Sequence, residues 1–365
     1  MAYSVERIKT AEQRRKIIFW VEDMPPSQGG IQKRILDFVS GTKEKFDVVV
    51  VQRSGYSQHF SGVKTVTFGN PENYLRDSYT FIVNMISESS IEPLIYVSKV
   101  FCFHDDTHLS LLEDLSNLSC KVVLRLASTR SANFVTNNRD DVDLGNLRFH
   151  CLNDSDFRCI QEWHSDVKRF NNSSVAPLEP TEFSNKPTYA FCGRIVESKN
   201  LASFLTAWSE FQQPGKSLKV WGDASSPYFS NEIAPLIEEI DDVEYLGVYE
   251  REDASVFNDF SVLVAPSVRE GSSNVVVEAI SHGRIVVGSD IPGIRELLPR
   301  EYPFLIKSPF GTKEVLDALN LVRESAENEQ DLTLLSAELR NFFLQNFSSD
   351  LELDEILSLA RADRH

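Results

Sequence analysis

Seven residues separate Glu270 from Glu278, and the groups around them can hold an anion. The stretch reads Arg269-Glu270-Gly271-Ser272-Ser273-Asn274 and runs into Val275-Val276-Val277-Glu278-Ala279. Gly, Ser and Asn ahead of a helix leave backbone N–H groups free at its start, where the helix dipole adds positive charge. Such a terminus suits a phosphate. A loop carboxylate (Glu270) and one about a turn into the helix (Glu278) can accept hydrogen bonds from sugar or ribose hydroxyls. Taken alone, Glu270 reads first as a loop charge and Glu278 as a charge on the helix face. Glu278, however, sits among Val276, Val277, Ala279 and Ile280, and a charge in an apolar run needs a partner.

Two further loops carry related chemistry. Cys192-Gly193-Arg194 is followed by Glu197-Ser198-Lys199-Asn200. With Arg194 ending a strand and Lys199 starting a helix, both cations can reach one diphosphate, Arg as a fork and Lys as a point charge. The plainer alternative is a surface Arg194 paired with Glu197. Gln28-Gly29-Gly30-Ile31 follows another apolar run. Paired glycines let a backbone approach a ligand closely, or simply make a tight turn.

His104-Asp105-Asp106-Thr107-His108 allows three readings. Asp105 or Thr107 can cap a helix. His104 and Asp105 can touch an acceptor. A metal is the third reading, but a helix opening at Thr107 leaves His104 outside it, so the two imidazoles need not share a face. His282, at a helix end before Gly283, suits the helix C-terminus rather than a substrate.

The elements that must position these groups alternate short β-rich runs with amphipathic stretches, the pattern of parallel sheets covered by helices. In the first half, strands fit Lys16–Val21, Val48–Val51, Val100–Phe103, Lys121–Leu126 and Leu147–Leu152. Helices there fit Ile31–Val39 and Leu109–Leu118, and Asn153-Asp154-Ser155 reads as a helix cap. Asn171–Pro187, rich in Asn, Ser and Pro, reads as a linker. Beyond it, strands fit Thr188–Cys192, Ser217–Trp221, Val243–Leu246, Ser261–Ala265, Ile285–Gly288 and Phe304–Ile306. Helices fit Asn200–Phe211, Asn231–Ile240, Asn274–Ser281 and Thr312–Arg323, with a helical tail from Asp331. The reading is α/β, with two Rossmann-like domains facing a cleft: residues 1–175, then 176–345, with 346–365 packing back on the first. Ligands of such sheets bind outside the carboxyl ends of the strands.

Composition narrows the classes. The chain has 365 residues, 42% hydrophobic and 25% charged, ordinary for a globular protein of two domains. Its net charge of -17 opposes nucleic acid and generic docking on anionic lipid. Five cysteines without a CxxC pair suit reduced thiols and a cytoplasmic setting. The polar start, Met1 to Arg15, does not read as a signal peptide, and no apolar run is long enough for a membrane span. A dehydrogenase reading lacks G-x-G-x-x-G after the first strand.

Together these residues resemble the GT-B glycosyltransferases, most closely the large retaining family usually numbered four. Glu270-Gly271 and Glu278-Ala279 match its E-x7-E motif, which continues through His282-Gly283, Val286-Val287, Asp290, Pro292-Gly293 and Glu296. Gly193-Arg194 and Lys199 match its phosphate-binding residues, Tyr245-Leu246-Gly247 its F-L-G segment, and Gly29-Gly30 its N-terminal glycine loop. The resemblance is specific across Tyr189–Leu298 and looser in the first half.

It implies a nucleotide-sugar donor and retention of configuration. Arg194, Lys199 and Glu270 would be catalytic. Gly29, Gly30, Gly193, Gly247, Val248, Gly271, Ser272, Ser273, Asn274 and Glu278 would bind the donor, with Gly247 and Val248 near the base. No metal or other cofactor is implied. Acceptors of such enzymes are glycans, lipid-linked glycans or small molecules, often in bacterial surface polysaccharide, lipopolysaccharide or glycolipid synthesis at the inner leaflet.

Two positions depart from the pattern. Ile285 stands where the family usually has Pro, and Leu126-Ala127-Ser128-Thr129 lacks the His that many members carry there. Either another group takes that role or the sugar is held differently. The same fold also serves epimerases, phosphorylases and degenerate domains that stabilise another transferase.

Overall fold

The computed structural model describes residues 14–23, 30–54, 63–70, 72–98, 106–126, 129–174, 187–249, 254–327 and 332–361. Within them, the apolar runs pair as two parallel sheets. The first holds β1 (Lys16–Asp23), β2 (Asp47–Ser54), β3 (Lys64–Thr67), β4 (Leu94–Ser98), β5 (Lys121–Leu126), β6 (Leu147–Cys151) and β7 (Val167–Arg169). Its order is β3-β2-β1-β4-β5-β6-β7. Its helices are α1 (Gly30–Thr42), α2 (Tyr74–Ser87), α3 (Asp106–Ser116), α4 (Thr129–Asn137) and α5 (Asp154–Gln161).

The second sheet holds β8 (Tyr189–Cys192), β9 (Leu218–Trp221), β10 (Val243–Gly247), β11 (Val262–Ala265), β12 (Ile285–Ser289) and β13 (Leu305–Ile306), in the order β10-β9-β8-β11-β12-β13. With it come α6 (Leu201–Glu210), α7 (Ala234–Glu239), α8 (Asn274–Ser281), α9 (Pro292–Arg295) and α10 (Thr312–Glu327), followed by α11 (Leu332–Asn346) and α12 (Ser349–Arg361). Each sheet starts in its middle and grows first to one side, then to the other. The order therefore reverses between β1 and β4 and between β8 and β11, and such switch points open a crevice at the strands' carboxyl ends.

Successive side chains of a strand point to opposite faces. Ile18, Trp20, Val122 and Leu124 join the apolar cluster on one face of the first sheet. Ile17, Phe19, Tyr96 and Val123 join Phe38 of α1 and Leu353, Ile356 and Leu357 of α12 on the other. The last helix is thus core to the first sheet, and each such buried side chain contributes about 1.5–3 kcal/mol. Ile285 is fully buried in β12 and pairs with Val262 of β11.

The strand placed at Val100–Phe103 lies outside the described residues, and β4 at Leu94–Ser98 is a strand not anticipated. Two local expectations change. The linker at Asn171–Pro187 begins as packed structure. Asn171, Asn172, Ser173 and Ser174 are all buried, and the Ser174 N–H donates to the Phe347 carbonyl at 3.1 Å. Small polar groups can be buried when they are paired, as the Asn172 amide is with Arg125 and Ser272 and the Ser173 N–H is with Glu352. Finally β3, α2 and β7 had no counterpart in the sequence reading. β3 is half-exposed along its length, so it shows no apolar run.

Candidate functional site

The carboxyl ends of β8, β9 and β10 form a shelf of backbone. The Gly193 N–H donates to the Trp221 carbonyl at 3.1 Å, and the Gly222 N–H to the Gly247 carbonyl at 2.8 Å. The Tyr245 hydroxyl donates to the Gly222 carbonyl at 2.7 Å. A Cβ on Gly222 would lie 2.2 Å from the Gly193 oxygen, so only glycine lets these strand ends close up. Gly193 and Gly247 take φ of 152° and 74°, values that disfavour a side chain. Val248, beside the shelf, is exposed.

The loop between β11 and α8 is seated from below by α9. The Ser273 N–H donates to the Gly293 carbonyl at 3.0 Å. A Cβ on Gly293 would lie 2.3 Å from the Glu270 oxygen. The Ser273 amide is therefore engaged, whereas the next three, of Asn274, Val275 and Val276, open the helix without an intrahelical partner.

This loop meets the loop after β8. The Val268 N–H donates to the Ser198 carbonyl at 3.0 Å. The Lys199 ammonium donates to Glu270 Oε1 in an ion pair, and Ser267 Oγ donates to the same oxygen at 3.3 Å. Arg194 is exposed and has no ion-pair partner among the described residues. Glu278 is 9% exposed. Burial first, and then the Glu278 charge, push the Cys192 thiol well above its ordinary value. The Glu278 charge is therefore felt at Cys192, the last residue of β8. Residues scattered from 193 to 278 converge on one switch point.

His282 packs structurally. Its Nδ1 lies 2.9 Å from the Glu278 carbonyl, its ring stacks on Phe257 at 4.9 Å, and Gly283 closes the helix with φ of 69°. Gly30 is the first residue of α1. Gly29, His104 and Asp105 lie outside the described residues. The His-free segment after β5 continues into α4, which opens at Thr129.

Contacts between the halves escaped the sequence reading. Glu296, beside α9, accepts the Asp154 N–H of α5 at 3.1 and 3.3 Å and lies 3.4 Å from Arg169. Arg169 also pairs with Asp154. Burial, its largest influence, raises the Glu296 pKa above the ordinary value, against the lowering effect of the Asp154 N–H and Arg169. Asn172 reaches the loop that opens α8, its Nδ2 donating to the Ser272 carbonyl. The one sequence signal for this network was a charge, Arg125, inside the apolar run of β5.

Comparison with known proteins bears on the fold. Residues 186–323 match the family model described as glycosyl transferases group 1. A glycosyltransferase from Rickettsia africae superposes with a TM-score of 0.76 over 95% of this chain and 98% of that one, at 12% identity. Anabaena HepE, whose crystal structure contains UDP-glucose, superposes with a TM-score of 0.71 over 94% and 98%, at 16% identity.

The fold is GT-B.

Among curated proteins, glycosyltransferase 1 domain-containing protein 1 of Xenopus tropicalis is 28% identical over 171 residues. That match covers 46% of this chain and 48% of the relative, about half its length. The group 1 match spans β8 through most of α10, and so contains every element of the convergent site on the second sheet.

Proposed function

We propose that this protein transfers a sugar from a nucleoside-diphosphate sugar to an acceptor hydroxyl, with retention of configuration. The observation that carries the reading is the meeting of the loop after β8, with Gly193 and Lys199, and the loop that opens α8, with Glu270. The diphosphate would lie against the α8 N–H groups and the Gly193 backbone, with Arg194 and Lys199 as its counter-charges. As the bond from the anomeric carbon to the phosphate oxygen breaks, its electron pair stays on the diphosphate. Donors already in place stabilise that charge without reorganising. The acceptor oxygen attacks on the same face, and its proton passes to the departing phosphate.

Glu270 would hold the sugar hydroxyls, oriented by Lys199 and Ser267, and Glu278 the ribose hydroxyls. Gly247 and Val248 would border the base, and Gly29-Gly30 would approach from the first domain. His104 and Asp105 stay candidates for acceptor contact. In this scheme protein groups meet the diphosphate charge, with no metal assigned a part. A glycan, lipid-linked glycan or small molecule would accept the sugar, as in surface polysaccharide, lipopolysaccharide or glycolipid assembly. Among the described residues no helix is long and apolar enough to cross a membrane. We place the enzyme in the cytoplasm, meeting any lipid-borne acceptor at the membrane surface.

The test is release of nucleoside diphosphate from UDP-, GDP- and ADP-glucose, with and without added glycan acceptors. One donor class should turn over, and Glu278→Gln should lower kcat/KM about 10–100-fold, as loss of a charged hydrogen bond predicts. Equal turnover by the Gln variant would contradict the assigned role.

A further inference from the structure

Arg125 is a buried cation in the first sheet, remote in sequence from the loops above. It is 4% exposed, second from the end of β5, beside Ser98 of β4 and His150 of β6 in the ladder. Leu124 and Leu126 belong to the cluster on the face of α2 to α5, so Arg125 and Val123 face α1 and α12. Its Nη2 donates to Asn172 Oδ1, while Nε and Nη1 are buried without a partner. Among the described residues no carboxylate pairs with it. A buried charge held by one hydrogen bond is costly, and a costly group that persists calls for an explanation.

Asn172 supplies one. Its Nδ2 donates to the Ser272 carbonyl at 2.9 Å, and its backbone N–H approaches Ser272 Oγ at 3.4 Å. The neighbouring residues anchor elsewhere. The Ser173 N–H donates to Glu352 of α12 at 3.1 Å, and Ser174 to Phe347. The segment is thus fastened to the first domain and the C-terminal helices, while Asn172 reaches across to the loop that opens α8.

We infer that Arg125 and Asn172 are positioning residues for that loop. An amide can flip, exchanging its oxygen and nitrogen. Beside a guanidinium, only the orientation with Oδ1 toward the cation is favourable, because the flipped form sets N–H against N–H. That orientation in turn presents Nδ2 to the Ser272 carbonyl. A neutral donor at position 125 would enforce this choice less strongly. The donor loop of the second sheet therefore takes its geometry from a charge in the core of the first. Donor binding and the relative placement of the two halves become linked, and such linkage is reciprocal. The inference rests on the donor reading above.

The decisive variant is Asn172→Asp. It keeps the contact with Arg125, now as an ion pair, but removes the N–H and sets a carboxylate oxygen against the Ser272 carbonyl. Two readouts are needed: hydrogen exchange at residues 271–276 in the nucleotide-free protein, and the Kd for UDP, GDP and ADP. Exchange there should rise, and the Kd of whichever nucleotide binds the wild type should rise about tenfold. The melting temperature should not fall. Arg125→Met should move both readouts the same way by a smaller factor, since the amide is then free to flip. A purely structural residue would lower the melting temperature and leave the Kd of the folded protein alone. Unchanged exchange and Kd in Asn172→Asp, with a wild type that binds, would overturn the coupling and spare the donor reading. A wild type that binds none of the three would overturn both.

Discussion

The two sheets share a strand order but end differently. In the second sheet, β8 and β9 run into Gly193 and Gly222 and β10 ends at Gly247, so the rim is bare backbone at the switch point. In the first, β4, β5 and β6 carry Ser98, Arg125 and His150 at or near their ends, buried side chains that face inward or toward the segment joining the halves. His150 illustrates this, its Nε2 lying 2.9 Å from the Phe170 carbonyl and its Nδ1 3.1 Å from the Tyr96 hydroxyl. One rim leaves backbone bare, where the proposed ligand would lie; the other is filled by buried side chains that tie it to the segment joining the halves.

Glycine substitutions break this comparison most sharply. Gly293→Ala pushes a Cβ into the Glu270 backbone and should lower transfer about 100-fold, the scale of a misplacement near 1 Å. Gly41→Ala, in α1 of the first half, meets only Leu353 at an ordinary 3.7 Å. It should leave transfer intact and add up to about 1 kcal/mol of stability, read by chemical denaturation.

A smaller contrast comes from two lysines. Lys199→Ala should weaken nucleoside-diphosphate binding about tenfold by calorimetry, consistent with loss of a charge-assisted bond. Lys168→Ala removes an exposed ion pair with Glu355 and should change stability by less than about 1 kcal/mol, with nucleotide affinity untouched.

The smallest effect lies where the halves touch. The native state raises the pKa of Glu296, so it holds that proton more tightly than the unfolded chain. The stability this group contributes is full below the ordinary carboxylate range and is lost as pH rises through the raised value. Between about pH 4 and 7, the unfolding free energy of Glu296→Gln should therefore gain on the wild type as pH rises. A flat difference would show that Arg169 and the Asp154 N–H fully offset burial.

The elements of the second half were more legible in the sequence than those of the first, because the motifs proposed for its site are local. Gly193-Arg194 and Glu270 through Glu278 each sit in one loop and its following helix, where type and spacing carry the information. The start of the long linker was misread for the same reason. Composition marks Asn171–Pro187 as polar, but the burial of Asn172 depends on Arg125, 47 residues earlier, and Ser272, 100 residues later. No local pattern encodes such a pairing. β3 and β7 were missed because short strands at a sheet's edges lack the continuous apolar run that marks buried ones.

In the proposed complex a diphosphate sits between Arg194, Lys199 and the start of α8. Thermal unfolding with UDP, GDP, ADP and CMP in excess tests that placement. A ligand that binds only the folded state adds about 2.7 kcal/mol at a hundredfold excess over Kd. One nucleoside diphosphate should raise the melting temperature, and Arg194→Ala should abolish most of that rise. No shift with any nucleotide, or an equal shift in the Arg194→Ala variant, would contradict the account.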